Sequence, residues 1–214
     1  SDIHGSGWGD YSGYSVSLSD DGTIVAIGGW GNDGNGYEGD IGSTRIYKYE
    51  SGSWNQLGSE IDGESAGEKS GYSVSLSGDG TIVAIGAPYN SGESSYYSYG
   101  HVRIFQYSAG TWSQLGSDID DGSGYSVSLS DDGTIVAIDA YNYGDGSYYS
   151  DRVGVTRFYQ YSVESDSWSQ LGSDIDGTGG SGATVSLSAD ARTAAIGNYS
   201  GRGITSYFKL DNLT

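Results

Sequence analysis

The side chains able to do chemistry are few in kind and repetitive in placement. The chain has 28 acidic residues, two histidines and no cysteine. Without cysteine there is no disulfide, thiolate ligand or thiol nucleophile. Of the two histidines, His101 opens an alternating run and aligns on Thr44 and Val155 of sister segments, so it reads as a strand residue. Carboxylates in pairs could serve a glycosidase, which sets two of them across a scissile bond. Each pair here has copies elsewhere in the chain, however, and none is singled out. The expectation is a protein that is not an enzyme, with no catalytic residues and no required cofactor.

Two other chemistries have candidate residues. Calcium takes closely spaced hard oxygen ligands, and the best match is Asn32, Asp33 and Asn35 in the run Asn32-Asp-Gly-Asn-Gly36. The acidic turns Asp20-Asp21, Asp79 and Asp131-Asp132 read instead as hairpin chemistry. The recurring pairs Asp118/Asp120, Asp174/Asp176 and Glu60/Asp62 read as a repeated structural feature. Asn198 and Asn212 each begin an Asn-x-Ser/Thr sequon, the acceptor for N-glycans in secreted proteins. Tyrosines crowd two variable loops: Tyr96, Tyr97 and Tyr99, then Tyr141, Tyr143, Tyr148 and Tyr149. Exposed aromatic rings stack on sugars or on other proteins, or pack against neighbouring loops.

These residues hang on a repeat. The stretch Tyr14-Ser-Val-Ser-Leu-Ser19 returns at Tyr72–Ser77 and Tyr125–Ser130, and as Ala183-Thr-Val-Ser-Leu-Ser188. Each copy continues through an acidic turn, as in Asp20-Asp-Gly-Thr23, into an apolar run such as Ile24-Val-Ala-Ile27. A variable loop follows, then a third run (Thr44–Tyr49, His101–Tyr107, Thr156–Tyr161), then Trp54–Gly58 or its equivalents at Trp112 and Trp168. Valine and leucine alternate with serine in the first run, which gives one apolar face at the strand period of two. The second run is apolar throughout, as in a strand covered on both sides. Asp-Gly between them is a hairpin signal, because glycine accepts positive φ. Each copy is thus a four-stranded antiparallel meander of roughly 55 residues, which cannot bury both faces alone. Radial stacking solves this, and the expected architecture is an all-β propeller of four repeats. One domain covers 1–214, with repeats near 1–58, 59–116, 117–172 and 173–214. The recurring tryptophans are expected to wedge between blades.

Glycine (38 residues) and a hydrophobic share of only 35% fit many short strands joined by tight turns. The net charge of −19 repels phosphate backbones and anionic lipid, so nucleic acid is excluded as a partner. No window approaches the ~18 apolar residues of a membrane helix, so membrane insertion is not expected. No leader is visible at Ser1, so a secreted protein would be seen in its mature form.

The segments Gly13-Tyr-Ser-Val-Ser-Leu-Ser19 with Ile24-Val-Ala-Ile-Gly28, and Gly71–Ser77 with Ile82–Pro88, resemble the FG-GAP type of propeller repeat. The second copy, ending Ile-Gly-Ala-Pro, is nearest that pattern; the others run Gly-Gly-Trp, Asp-Ala-Tyr and Gly-Asn-Tyr. The resemblance implies a propeller and an extracellular or cell-surface adhesive role.

The fourth copy has a third run, Thr205–Leu210, and no Trp strand after it. Ser1-Asp-Ile-His matches the segment that follows a Trp strand, so it does not supply one. Fifteen candidate strands stand where four full blades need sixteen. An unpaired edge is a template for another chain. Three explanations stand: a three-stranded last blade capped by Asp211–Thr214, a fragment of a longer array, or edge-to-edge assembly. The leading expectation is a secreted structural glycoprotein that self-assembles into a homo-oligomer or polymer, head to tail into a filament if the contact does not close. The alternative is an adhesive module that binds glycans or proteins through its Tyr-rich loops, with calcium as a candidate cofactor.

Overall fold

The computed structural model describes residues 2–33, 39–90, 100–120, 123–142, 153–176, 183–198 and 204–210. Its secondary structure is strand and turn, in four antiparallel sheets that form a four-blade β-propeller. The first blade is β1 (Ser15–Leu18), β2 (Ile24–Gly29), β3 (Ser43–Glu50) and β4 (Ser53–Gln56), with the two-residue β5 (Ile61–Asp62) added beside β3. The second blade is β6 (Ser73–Leu76), β7 (Ile82–Ala87), β8 (His101–Ser108) and β9 (Thr111–Gln114). The third is β10 (Ser123–Leu129), β11 (Ile135–Asn142), β12 (Val153–Ser162) and β13 (Ser167–Gln170), with β14 (Ile175–Asp176) on β12. The fourth has three strands among the described residues: β15 (Ala183–Leu187), β16 (Thr193–Asn198) and β17 (Ile204–Lys209).

Register is conserved from blade to blade. Val16 faces Ile27 as Val74 faces Ile85 and Val127 faces Ile138. This places His101 opposite Ala87, as Ser43 lies opposite Gly29. The expected alignment of His101 on Thr44 is therefore off by one, because Val102 is the residue that pairs as Thr44 does. His101 is a strand residue, as expected, at the first position of β8.

The acidic turns are held by their own side chains. Asp21 Oδ1 accepts from the Thr23 amide and hydroxyl at 2.9 and 2.8 Å, and from the Ser19 hydroxyl at 2.8 Å. Asp79 and Asp132 repeat the pattern, and Asp190 keeps the serine and amide bonds. These bonds hold Asp21 below its ordinary pKa, the Thr23 amide foremost. Of the carboxylates expected to serve hairpins, Asp21, Asp79 and Asp132 do so, whereas those of Asp20 and Asp131 bond to each other between blades. At the other hairpin, Ser51 and Gly52 both take positive φ (54° and 87°), the geometry of a type I′ turn that suits the strand twist.

Blades stack in order. β1 and β2 pack on β6; β6, β7 and β8 on β10; β10, β11 and β12 on β15. Three apolar cores fill these three junctions. The first joins Ile24, Ala26 and Ile46 to Val74, Leu76, Val83 and Ile85; the other two repeat it one blade further on. At each junction the inner strand turns its Val/Leu face to the blade before it and its serine face to the blade after. Ser17 Oγ accepts from the Leu76 amide at 2.9 Å, Ser75 Oγ from Leu129 at 3.0 Å and Ser128 Oγ from Leu187 at 2.9 Å. Two of the three recurring tryptophans are wedges, as expected: Trp112 Nε1 donates to Leu57 O and Trp168 Nε1 to Leu115 O, both at 2.8 Å, while Trp54 packs on Tyr49 of its own blade.

Between the fourth blade and the first, no strand pair packs broadly among the described residues. Val16 and Leu18 are 63% and 59% exposed there.

Candidate functional site

The two ends of the propeller differ in chemistry. At the end with the β1–β2 type turns, amides and carbonyls pass from blade to blade: Asp20 N to Gly78 O, Gly78 N to Asp131 O and Asp131 N to Ala189 O, at 2.8–2.9 Å. The carboxyls of Asp20 and Asp131 meet there. The hydrogen bond between them, then the repulsion of like charges, raises the pKa of Asp131.

The opposite end carries the N-terminal ends of the inner strands and the β2–β3 type loops. Tyr14, Tyr72 and Tyr125 occupy one repeat position and come together there. Tyr72 lies 4.9 Å from Tyr14 and 5.6 Å from Tyr125, ring centre to ring centre. Tyr89 closes the group at 6.3 and 5.8 Å from Tyr72 and Tyr125. Beside it Tyr11 stacks on Trp30 at 4.3 Å, and the Lys69 ammonium sits 4.3 Å from the Trp30 ring and 4.8 Å from Tyr89. Tyr11 and Tyr14 are more than half exposed. The Trp30 Nε1 donor is buried with no acceptor.

Next to this aromatic group lies a knot of charge. Gly63–Gly71 links the first blade to the second, and its turn is tied by Glu68, a fully buried carboxylate. Glu68 accepts from the Glu64 and Ser65 amides at 2.8 and 3.1 Å, from the Ser65 hydroxyl at 3.1 Å and from the Asn90 amide group at 3.1 Å. His101, also buried, stands over it. Its Nε2 is 3.9 Å from Glu68 Oε1, and its Nδ1 is 3.5 Å from Asp118 Oδ2, 3.8 Å from Asp120 Oδ1 and 3.2 Å from Asn90 Nδ2. Arg103 reaches Glu64 at 3.3 Å and Glu68 at 3.9 Å, and donates to Asp62 O at 2.7 Å. The repeat explains why these groups are free to meet. In the third blade Arg157 is taken by Asp174, at 3.0 and 2.8 Å, and that pair lowers the Asp174 pKa. In the first, Arg45 lies 3.8 Å from Glu60. In the second, Arg103 turns to the connector and leaves Asp118 to His101. A cleft of about 270 Å³ adjoins the knot, lined by Glu60, Asp62, Arg103, Phe105 and Trp112 among others.

The sequence-based candidates are distributed differently. Asp33 Oδ1 accepts from the Asp40 amide at 3.0 Å and so helps close its own loop; Asn32 is described beside it, while Asn35 lies outside the described residues. Tyr96, Tyr97, Tyr99, Tyr143, Tyr148, Tyr149 and Asn212 lie outside them too. Tyr141 falls within β11 and Asn198 ends β16, opposite Ala183 and Ile204. The tyrosines that do gather, Tyr14, Tyr72 and Tyr125, were visible in the sequence as repeat positions. Their shared place two residues before the inner-strand valine is the signal that sets them at one end of the axis. For the His101 knot the signal was weaker: a buried-type strand position occupied by histidine in one repeat only.

No family model matches the chain, and no curated protein matches it by sequence. Solved structures do match in fold. The periplasmic gluconolactonase PpgL of Pseudomonas aeruginosa aligns over 91% of this chain and 56% of its own length, with TM-score 0.55 and 17% identity. A Bacteroides uniformis protein assigned as a 6-phosphogluconolactonase aligns over 91% and 57%, with TM-score 0.56 and 11% identity. TolB of Acinetobacter baumannii aligns over 94% and 41%, with TM-score 0.53 and 13% identity. The chain thus spans roughly half the length of the structures it resembles. At these identities the likeness defines the class, a β-propeller, and carries no activity across.

Proposed function

We propose that this chain is a non-catalytic extracellular or cell-surface assembly module, whose first blade receives the fourth blade of a second copy. One observation carries the reading. The Val16–Leu18 face is built like the faces that fill the three existing junctions, yet it stands open. The fourth blade offers the matching surface: Ser186 is exposed, and it occupies the position from which Ser17, Ser75 and Ser128 accept the next blade's leucine amide. Burying a valine and a leucine contributes about 1.5–3 kcal/mol each, and the new contact would repeat the geometry of the three junctions already present. Since one copy's first blade meets another's fourth, the contact is heterologous and grows a ring or filament. Among the described residues the fourth sheet has three strands, and its β17 edge has no partner strand there, a template for another chain. The FG-GAP resemblance and the sequons at Asn198 and Asn212 support a secreted glycoprotein.

A second reading rests on the aromatic end of the axis. Exposed Tyr11 and Tyr14 beside Trp30, with an unanswered buried Nε1 donor, form a surface on which a sugar ring or a partner protein could stack.

Light scattering with negative-stain microscopy decides between them. Oligomers or filaments are expected, dissolving in the V16D/L18D variant. Monodisperse wild-type particles would remove the assembly reading, and glycan-array binding lost in W30A would then establish the second. Hydrolysis of a gluconolactone by the pure protein would overturn the non-catalytic reading.

A further inference from the structure

We propose that Glu64, His101 and Asp118 bind a divalent transition-metal ion, of which zinc is the representative. With one ligand atom from each, the three groups already lie within 4.8 Å of one another. Independent of that proximity, His101 is 1% exposed and its Nε2 has no hydrogen-bond partner. A buried imidazole nitrogen left unanswered forfeits the energy it had in water. An ion on Nδ1, in place of the Asn90 amide, fixes the proton on Nε2 and gives the Glu68 carboxylate a donor to accept from.

The donor set selects the ion. One imidazole nitrogen with two carboxylate oxygens suits zinc and its first-row neighbours, whereas calcium seeks six to eight oxygens. Around the imidazole lie four carboxylates, Glu64, Glu68, Asp118 and Asp120, against one guanidinium, that of Arg103. A divalent cation relieves that excess of negative charge.

The supporting contacts are in place as well. A ligating histidine is oriented when its other ring nitrogen donates to a carboxylate. Here Nδ1 lies beside the ligand Asp118, so the nitrogen left to donate is Nε2, with Glu68 Oε1 3.9 Å away. Asp118 is itself steadied through Oδ1, which accepts from Gln114 Nε2 at 2.5 Å, leaving Oδ2 toward the histidine. Zinc–ligand bonds of about 2.0–2.2 Å require the three groups to draw closer. Glu64 can do so, because its side chain is half exposed on the connector. It exchanges Arg103 for the ion, and Arg103 keeps its bonds to Asp62 O and Glu68. The ion would then pin the connector of the first two blades to the start of β8, so binding also stabilises the junction.

Titration calorimetry of the tag-free chain with zinc chloride tests this, with cobalt(II) absorption as a report on nitrogen and oxygen ligation. One equivalent of zinc is expected, with a rise in Tm and preference over calcium. His101→Gln should abolish binding and Glu64→Gln weaken it about tenfold or more. Should His101→Gln fail to fold, Glu64→Gln, on an exposed loop, remains decisive. Wild-type protein without a stoichiometric zinc site overturns the proposal. So does undiminished zinc binding in Glu64→Gln, or in a folded His101→Gln.

Discussion

The first and second blades carry the same inner strand, Ser-Val-Ser-Leu, in the same register against the same Ile-Val-Ala-Ile neighbour. Yet Val74 and Leu76 are 8% and 7% exposed, where Val16 and Leu18 stand mostly in solvent. The difference runs one strand deeper. β7 is buried at every position, whereas β2 alternates, with Ile24 and Ala26 covered and Val25 and Ile27 half open. The buried pair points at the second blade and the open pair at the uncovered side. Identical local sequence therefore produces identical strands but not identical burial. What a blade face contributes to stability is decided by the blade in front of it.

Truncation sharpens that contrast most. Leu76→Ala removes a side chain from the first junction core and should cost about 2–5 kcal/mol. Leu18→Ala in a dispersed chain should stay within about 0.5 kcal/mol, as an exposed substitution does. Urea unfolding of both variants, below and above the concentration at which the protein associates, measures the pair. If the Leu18→Ala penalty grows with concentration toward that of Leu76→Ala, a second blade is covering the face. If Leu18→Ala matches Leu76→Ala at high dilution, the comparison itself is wrong and the face is closed within one chain.

A smaller contrast lies at the tryptophans. Trp112 donates its Nε1–H to Leu57 O across a junction and packs against the same core, while Trp54, at the same repeat position, has no described blade ahead of it. Trp112→Phe keeps a ring and leaves the Leu57 carbonyl unpaired, for an expected loss of about 1–3 kcal/mol. Trp54→Phe should change stability by less than about 0.5 kcal/mol. Equal losses would mean that the hydrogen bond across the blades contributes nothing.

These contrasts also mark what the sequence could and could not reveal. The Val/Leu-Ser alternation and the Asp-Gly turns made the strands, their pairing and the stacking order legible, since each follows from period and turn chemistry. The hairpin role of Asp21, Asp79 and Asp132 was legible for the same reason. The His101 knot was not. Its members come from three separated segments, Glu64 on a connector, His101 opening β8 and Asp118 after β9, and only the stacking of two blades brings them together. The alignment of His101 held against Val155 and slipped by one residue against Thr44, whose place Ser43 takes in the ladder. The aromatic end of the axis was half legible: Tyr14, Tyr72 and Tyr125 were visible as repeat positions, but Trp30 and Lys69 join them only in three dimensions.

The fourth blade offers the finest comparison, at a single turn. Gly22, Gly80 and Gly133 take φ of 68°, 71° and 68° in the first three blades, where glycine bears no steric penalty. Ala191 holds the same place at φ 51°, a conformation in which Cβ crowds the following carbonyl. The turn persists because Asp190 accepts from the Ser188 hydroxyl at 2.7 Å and the Arg192 amide at 3.1 Å, and because the Ala191 methyl is itself buried. Ala191→Gly relieves the backbone, but it loses that methyl contact and frees the unfolded chain. The net expectation is a gain of about 0.5 kcal/mol, read as a higher urea midpoint with unchanged slope. The reverse change, Gly80→Ala, meets Ile24 Cδ1 and Cβ of the preceding blade at 2.8 and 2.9 Å, so it should destabilise by more than the Ala191 change gains. If the two substitutions have equal and opposite effects, backbone strain alone governs the turn, and the close approach of one blade's hairpin to its neighbour adds nothing.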